Sequence, residues 1–492
     1  MGVVIAIDAG TTGVRSRAVF TDGRPSISSY REFTQFFPQP GWVEHDGSEI
    51  WSVVATTLRD VIAQVDEPIG AIGITNQRET ILAWNRRTGV PYHRAIVWQD
   101  RRTAKRCEEL ADLLPLVRQR TGLVLDPYFS GSKAEWLLTS GEVPISAELA
   151  LGTIDSWIIW NLTAGACFVT DASNASRTML FDITTMRWDD ELCGIFQVPA
   201  GALPTVVASS GRCGVTAALS GIPPGIPISG IAGDQQAALF GQGCFSPGSA
   251  KNSYGTGSFV LMNVGPTIPP VREGMLTTVA WVLGDEKPTY ALEGAIFVTG
   301  AAIQWLRDGI NIIDHAADIG PLAASVPDSG GIVVVPAFTG LGSPWWDPYA
   351  RGTILGITRG TSRAHIARAV IESIAYQTRA VVEAMTQASG VIIRDLRVDG
   401  GAAVMDLLLQ LQADQLGVTV LRPRELEATA MGAAYLAGLA EGMWSSLDDI
   451  SRAWQLDTMF VPHSTLNPQT PDSGFENWTR GVERSRNWVS KT

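Results

Sequence analysis

A short buried strand that enters a Gly- and Thr-rich turn and returns as a second strand occurs twice in this chain. The first copy starts at Val3, turns between Asp8 and Gly13 and returns to Phe20, and the second turns at Gly255-Thr256-Gly257, about half a chain later. Glycines let a backbone approach an anion closely, and successive amides form a nest for it. The repeat predicts two related domains, each presenting a phosphate-facing hairpin to a shared cleft.

Strand-like and helical patterns alternate through both halves of the chain. A third strand, around Val398, runs into another glycine turn at Asp399-Gly400-Gly401. Alternation of this kind predicts an α/β layer architecture. The strand-like runs are 71–75, 80–84, 95–98 and 396–398, and the helical patterns are 49–66, 103–120, 299–310, 362–388 and 402–416.

The length of 492 residues fits two domains of similar design. We place the boundary between residues 243 and 244, which gives an N-terminal domain of 1–243 and a C-terminal domain of 244–492. No low-complexity linker separates them, so we expect the domains to pack together and to hinge.

The charge balance and the hydrophobic content exclude several classes of protein. The chain carries a net charge of −12 without a long basic run, which argues against a nucleic-acid partner or a membrane-surface partner. Its 45% hydrophobic residues can fill large cores, but no apolar run reaches the ~18–20 residues that cross a bilayer. We expect a cytoplasmic location. The five cysteines show neither paired nor metal-ligand spacing.

The common nucleotide-binding signatures are missing from the sequence. There is no Gly-Lys dipeptide, hence no Walker A loop, and there is no HRD or DFG triplet of a protein kinase. If the chain binds ATP, backbone amides at the glycine turns must hold the phosphates. Asp8, directly before the first turn, has the oxygen ligands that Mg²⁺ prefers.

A polar segment, Asn76 to Thr80, interrupts two apolar strands. Its local pattern favours a solvated loop with an ion pair between Arg78 and Glu79. The alternative is a cleft position, where paired donors and acceptors would suit a polyol, because each hydroxyl is both.

Asp234 comes where one apolar strand ends and a helix begins. An N-cap role and a catalytic role are equally compatible with that position. Three aromatic residues, Trp98, Tyr128 and Phe259, adjoin polar motifs. Buried aromatic residues usually belong to the hydrophobic core. They could also form the apolar wall that the carbon face of a polyol needs.

Taken together, these motifs resemble the FGGY carbohydrate kinase family, and within it the members that act on glycerol. The resemblance implies two actin-like ATPase (ribonuclease H-like) domains around a central cleft. It also implies ATP-dependent phosphorylation of glycerol to sn-glycerol 3-phosphate with Mg²⁺, by a homodimer or homotetramer. The matching segments, in the family's order, are 38–46, 76–80, 95–99, 126–133, 233–236, 254–257, 336–342, 346–352 and 356–372.

The resemblance also implies a role for each matching residue. Asp234 matches the catalytic base, and Asp8 matches the position associated with Mg²⁺. The glycerol pocket would comprise Arg78, Glu79, Trp98, Tyr128, Asp234, Gln235 and Phe259. The ATP-contacting residues would be Thr11, Thr12, Gly13, Arg15, Thr256, Gly300, Gln304 and Gly401.

The sequence departs from the family's pattern at three places. Ala9 replaces a Gln before the first turn, and Gly13-Val14 replaces a Ser pair within it. Met405 stands where a nucleotide-contacting Asn is common. The segment 220–225 lacks the Arg of the loop that binds fructose 1,6-bisphosphate in bacterial relatives, so we expect no inhibition by that sugar.

Two other functions are compatible with parts of this pattern. One is a kinase of the same family that acts on erythritol or on a ketopentose such as xylulose. The other is an actin-like or chaperone ATPase, which would not need Arg78, Glu79 and Asp234 to converge on a polyol.

Overall fold

The computed structural model describes residues 2–270, 273–463 and 473–489. Helices and strands are numbered here in chain order. The strands of the N-terminal half are β1 (Val3–Ala9), β2 (Gly13–Phe20), β3 (Ile27–Glu32), β4 (Gln35–Phe36), β5 (Glu44–His45), β6 (Ile69–Asn76), β7 (Ile81–Asn85), β8 (Ala95–Ile96), β9 (Leu149–Thr153), β10 (Val169–Asp171), β11 (Phe181–Asp182), β12 (Arg187–Trp188), β13 (Thr205–Val207), β14 (Ser210–Val215) and β15 (Pro227–Gly233). Its helices are α1 (Gly47–Ile62), α2 (Ala104–Glu109), α3 (Leu114–Thr121), α4 (Ser130–Leu138), α5 (Ile154–Leu162), α6 (Ala172–Ala175), α7 (Asp190–Ile195) and α8 (Asp234–Gly241).

The C-terminal half continues the alternation of strands and helices. Its strands are β16 (Ser249–Tyr254), β17 (Ser258–Gly265), β18 (Leu276–Trp281), β19 (Thr289–Ile296), β20 (Val333–Val335), β21 (Thr353–Leu355), β22 (Asp395–Asp399), β23 (Thr419–Pro423) and β24 (Leu456–Phe460). Its helices are α9 (Gly300–Gln304), α10 (Ile319–Ala324), α11 (Arg363–Ser389), α12 (Asp406–Leu416), α13 (Ala428–Ala440), α14 (Leu447–Ala453) and α15 (Ser473–Ser485).

The N-terminal sheet is built around the predicted hairpin. Its strand order is β14-β15-β6-β1-β2-β3, with β1 antiparallel to β2 and parallel to β6. Val3, Val4 and Ile5 are almost completely buried. Because helices cover both faces of this sheet, β1 is apolar throughout rather than alternating between polar and apolar residues.

The C-terminal sheet repeats this arrangement. Its order is β18-β19-β17-β16-β22-β23-β24, with β16 antiparallel to β17 and parallel to β22. The three strands β17, β16 and β22 therefore correspond to β2, β1 and β6. In each sheet the glycine turn follows the central strand, and the parallel neighbour ends at the same edge, where α/β folds place their ligands.

Two of the predicted helices are interrupted. The region 103–120 divides into α2, a 3₁₀ turn and α3, because Pro115 lacks a backbone donor and begins a new helix. The pattern at 299–310 becomes α9 followed by a π-helical turn, Trp305–Gly309. The long α11 agrees with the pattern at 362–388 and ends at Gly390, which has a φ of 72°. Within the described ranges, no helix is long and apolar enough to cross a membrane.

Helices α8 and α13 join the two sheets by direct backbone contact. A Cβ on Gly432 of α13 would lie 1.8 Å from the carbonyl oxygen of Ala237 in α8, and a Cβ on Gly73 of β6 would lie 2.0 Å from that of Ala433. Although α13 follows the C-terminal strand β23, it packs on β1, β6 and β15 of the N-terminal sheet. The two halves of the chain thus meet through two adjacent helices.

Gly73→Ala tests this contact. The added methyl group would overlap the Ala433 carbonyl, and overpacking typically destabilises by about 1–3 kcal/mol. We expect a lower melting temperature by calorimetry. Gly194→Ala in α7 is the control, since its Cβ would meet nothing within 4 Å. Equal stability of the two variants would contradict the proposed close contact.

Candidate active site

The second and third glycine turns lie against each other at the edge of the C-terminal sheet. Gly400 has a φ of 86°, and a Cβ there would lie 2.5 Å from the Tyr254 carbonyl oxygen. The Thr256 carbonyl accepts hydrogen bonds from the amides of Thr299 at 2.9 Å and Ala301 at 3.0 Å, which fixes this turn on the start of α9. Only glycine allows the two turns to approach this closely.

A cavity of about 730 Å³ opens beside these turns. One wall is apolar and includes Ile303, Pro321 and Met405, while Gln304 and Arg307 add polar groups. An apolar slot with a few polar groups suits the base and ribose of a nucleotide. All four residues predicted to contact nucleotide in this half line the cavity: Thr256, Gly300, Gln304 and Gly401.

The first turn connects directly to the aromatic residues. Trp98 Nε1 donates a hydrogen bond of 2.9 Å to Thr11 Oγ1, whereas Thr12 is exposed. A Cβ on Gly13 would lie 2.5 Å from the Arg31 carbonyl oxygen and 2.7 Å from the Tyr30 hydroxyl oxygen. No side chain fits at Gly13, so only its backbone can serve an anion there. The Arg31 carbonyl and the Tyr30 side chain together leave no room for the Ser that the family has at this position.

Two ion pairs join β2 to the segment that leads into α13. Arg15 pairs with Glu427, and Arg17 pairs with Glu425. Arg15, predicted to contact phosphate, therefore has a carboxylate partner from the other half of the chain. Its side chain remains 30% exposed.

The segment from Asn76 to Thr80 is buried, so the interpretation of it as a solvated loop is wrong. Arg78 and Glu79 are each only 2% exposed, because the segment continues from β6 into the interior. Arg78 Nη2 donates a hydrogen bond of 3.0 Å to the Tyr128 hydroxyl. The Arg78 guanidinium carbon also lies 6.0 Å from the centre of the Phe259 ring.

The three aromatic residues come from both halves of the chain. Trp98 and Tyr128 meet edge to face, with ring centres 5.6 Å apart and planes at 82°. Phe259 extends from β17 of the C-terminal sheet. The structure thus brings an apolar wall and the Arg78–Glu79 pair to one place.

Asp234 is the first residue of α8, and Gly233 is its N-cap, so the interpretation of Asp234 as the N-cap is wrong. Its Oδ1 accepts from the Gln235 amide at 2.7 Å and lies 3.2 Å from Arg78 Nε. The side chain is 30% exposed, and burial raises its pKa to about 6; Arg78 opposes the rise and Glu79 adds to it. A carboxyl group with a pKa near neutrality suits general-base catalysis.

Asp8 is the second-last residue of β1 and lies close enough to Asp234 for the two carboxylates to repel each other. Burial raises the pKa of Asp8 to about 7; repulsion from Asp234 and Glu427 adds to the rise, and Arg15 lowers it. A divalent cation would relieve this repulsion. In the described part of the chain, no three His, Cys, Asp or Glu side chains form a metal cluster. Mg²⁺ usually binds one or two carboxylates together with phosphates and water. A single protein ligand such as Asp8 is therefore enough for it.

Sequence reasoning missed several buried charged residues around this site. Lys251 Nζ donates to Ser253 Oγ at 2.9 Å and to Gln235 Oε1, and burial lowers the pKa of Lys251 to about 8. The sequence did offer a signal for Lys251: the chain has only five lysines, and this one lies within a strand, where lysine is less frequent. Arg177 and Glu293 are also fully buried. No local pattern marks these two, because their partners are distant along the chain.

Two models of one protein family match this chain. The family model described as the N-terminal domain of the FGGY family of carbohydrate kinases matches residues 3–241, and its C-terminal counterpart matches 250–441. The chain belongs to the FGGY family of carbohydrate kinases, which confirms the resemblance. The exact boundary between residues 243 and 244 stays a prediction.

Relatives and solved structures agree with this assignment. The glycerol kinase of Symbiobacterium thermophilum is 52% identical, covering 100% of this chain and 99% of the relative. Glycerol kinase 2 of Thermotoga maritima is 51% identical, with 100% of both chains covered. The structure of Plasmodium falciparum glycerol kinase with ADP has a TM-score of 0.91 at 34% identity, covering 99% of this chain and 98% of that one. The predicted fold of two actin-like domains around a cleft is confirmed.

Gly401→Val tests whether the cavity of about 730 Å³ holds the nucleotide. A Cβ at Gly401 meets nothing within 4 Å, so the larger side chain would extend into open space rather than into the protein. We expect ADP affinity to fall at least about tenfold by calorimetry, or ~1.4 kcal/mol, at an unchanged melting temperature.

Gly201→Val is the matched control, since Gly201 also lies in a 3₁₀ turn and its Cβ also meets nothing. Its ADP affinity should equal that of the wild type. Normal ADP affinity in Gly401→Val would exclude this cavity as the nucleotide site.

Proposed function

We propose that this chain catalyses the ATP-dependent phosphorylation of glycerol to sn-glycerol 3-phosphate. The observation that carries the proposal is the position of Asp234, a partly exposed carboxylate 3.2 Å from buried Arg78 and within the electrostatic reach of Asp8. Its surroundings combine a polar pair and an aromatic wall for a small polyol with glycine turns for phosphate. Full-length relatives of about half identity that are named glycerol kinase support the same reaction.

Asp234 acts as the general base in this proposal. It accepts the proton of one terminal hydroxyl while that oxygen attacks the γ-phosphorus, and the bond to the bridging oxygen of ADP breaks in line. Phosphoryl transfer depends mainly on positioning and charge stabilisation, and a well-placed base contributes about 10²–10⁴-fold. Arg78, Glu79 and Gln235 hold the other hydroxyls, and the three aromatic residues Trp98, Tyr128 and Phe259 cover the carbon chain.

The phosphates of ATP lie between the first and second glycine turns in this proposal. Backbone amides at Gly13, the hydroxyls of Thr11 and Thr12, and the Arg15 guanidinium contact them from one side. Thr256, Gly300, Gln304 and Gly401 hold the nucleotide on the other. Asp8 would hold Mg²⁺, directly or through water; the ion, when bound, neutralises phosphate charge.

Water competes with glycerol as the acceptor, so the site must exclude it. The two halves meet through α8 and α13, and the ion pairs of Arg15 and Arg17 cross the same interface. Closure about these helices would bring the nucleotide to Asp234, which begins α8. A cytoplasmic location and a homodimeric or homotetrameric assembly remain predictions from the sequence.

Related kinases acting on erythritol or xylulose are the alternative, and the comparisons do not favour it. The xylulose kinase structure from Lactobacillus acidophilus is only 21% identical and shows the fold alone. A coupled ADP-release assay with glycerol, erythritol, xylulose and dihydroxyacetone separates the candidates. Glycerol should give the highest kcat/KM. A higher value for any of the others would replace glycerol in the proposal.

Asp234→Asn tests the base. The amide keeps the size of the side chain but cannot take the proton, so glycerol-dependent turnover should fall by about 10²–10⁴-fold while ADP binding persists. The control is Asp190→Asn, because Asp190 is likewise the first residue of a helix, α7, but is exposed. Normal turnover in Asp234→Asn would refute the mechanism.

The pH dependence provides an independent test. Asp234 must be deprotonated to act, and its pKa is about 6, so kcat/KM for glycerol should decrease as the pH falls through that value. Asp8 titrates close by with a pKa of about 7, so the observed midpoints belong to the pair. Lys251 lowers the pKa of Asp234. Lys251→Met should therefore move the acid limb to higher pH; an unmoved limb would contradict this electrostatic coupling.

A further inference from the structure

A closed ring of four charged side chains lies beneath the proposed glycerol pocket. Glu79 Oε1 accepts from Arg177 Nε at 2.7 Å, and Glu293 Oε1 accepts from Arg177 Nη2 at 2.9 Å. Glu293 also accepts from both terminal nitrogens of Arg78, at 3.1 Å from Nη2 and in a shorter bond from Nη1. Arg78 Nε closes the ring, 3.4 Å from Glu79 Oε1.

All four side chains of this ring are at most 2% exposed. Buried charges persist only when they are paired and hydrogen-bonded, and here two positive and two negative groups alternate. Burial alone would raise the pKa of Glu293, but Arg177 and Arg78 hold it at about 2. Glu293 is therefore ionised at neutral pH, and the formal charges of the two arginines and two glutamates in the ring sum to zero.

The ring fixes the orientation of the Arg78 guanidinium group. Glu293 engages both terminal nitrogens, which also reach Gln236 Oε1 at 3.3 Å and the Tyr128 hydroxyl at 3.0 Å. Arg78 Nε is buried and makes no hydrogen bond within the described residues. It instead forms ion pairs with two carboxylates, 3.4 Å from Glu79 Oε1 and 3.2 Å from Asp234 Oδ1, the carboxylate assigned as the base.

The ring also crosses between the two family domains. Arg78, Glu79 and Arg177 fall within residues 3–241, whereas Glu293 belongs to β19 of the C-terminal sheet. An N-terminal pocket residue is thus oriented by a carboxylate from the other half of the chain.

We propose that Glu293 and Arg177 are positioning residues for the phosphorylation of glycerol, holding Arg78 and Glu79 in place beside Asp234, where the acceptor hydroxyls would bind. The inference rests on the proposed function, since it concerns the same pocket. Neither residue touches the reacting atoms; each acts through Arg78 or Glu79. Glu293 thereby links the C-terminal sheet to polyol binding.

Glu293→Gln and Arg177→Lys are the test variants. The first keeps an oxygen acceptor but removes the charge, and the second keeps the charge but loses the planar pair of donors. Each should raise KM for glycerol at least about tenfold, the scale of a hydrogen bond to a charged group, with KM for ATP within about twofold. Nucleotide binding and melting temperature are measured for every variant, so that misfolding is recognised separately.

The double variant Arg177→Gln/Glu293→Gln separates positioning from charge balance. It restores a net charge of zero in the ring, so stability should recover relative to Glu293→Gln, while KM for glycerol stays raised. If the residues served stability alone, KM would recover together with the melting temperature. That result, or a normal KM for glycerol in both single variants, would overturn the proposal.

Glu135→Gln is the matched control, because Glu135 is a buried carboxylate that is ion-paired with an arginine away from the cleft. Glu135 is 5% exposed and accepts from Arg106 Nε at 2.9 Å and Gln197 Nε2 at 2.8 Å. This variant should lose stability at an unchanged KM for glycerol. Absence of glycerol-dependent turnover in the wild-type chain would instead reject the proposed function itself, so the two failures are distinguishable.

Discussion

The close backbone contact between α8 and α13 fixes how the two sheets are placed relative to each other, and the geometry of the site depends on that placement. Gly432 and Gly73 permit approaches that any side chain would prevent. Since α8 begins at Asp234, the same contact that joins the halves also fixes the catalytic carboxylate proposed here. Rotation of the halves about these helices would therefore move the nucleotide cavity relative to the polyol pocket without displacing Asp234 from its helix.

Around Asp234 the protein controls charge by burial and pairing. Burial raises the pKa of Asp234 and of Asp8, while Arg78 and Lys251 act against the rise at Asp234. The ring of Arg78, Glu79, Arg177 and Glu293 places two positive and two negative groups out of water with no net charge. This balance of buried charges leaves one partly exposed carboxylate, Asp234, with a pKa near neutrality, as the proposed base requires.

The sequence predicted the features that depend on local pattern. The apolar run of β1, the glycine turns and the repeated hairpin are properties of neighbouring residues. The four residues predicted to contact nucleotide, Thr256, Gly300, Gln304 and Gly401, came instead from the resemblance to the family. The burial of Arg78 and Glu79 was not predictable locally, because charged neighbours at a strand end are normally solvated. Arg177 and Glu293 were not predicted as site residues, because their partners lie far away in the sequence. Arg78 and Glu293, for example, are brought together only by the fold. The replacement of the family's Ser by Gly13 also has a cause that only the structure shows: the Arg31 carbonyl and the Tyr30 side chain occupy the space that a side chain there would need.

A crystal structure with glycerol and a non-hydrolysable ATP analogue tests the central claim most directly. We expect one terminal hydroxyl of glycerol within hydrogen-bond reach of the Asp234 carboxylate, about 2.6–3.2 Å, and on the side facing the γ-phosphate. Arg78 and Glu79 should contact the remaining hydroxyls. Glycerol bound with its terminal hydroxyls away from Asp234, or bound outside the pocket of Arg78 and Glu79, would contradict the account.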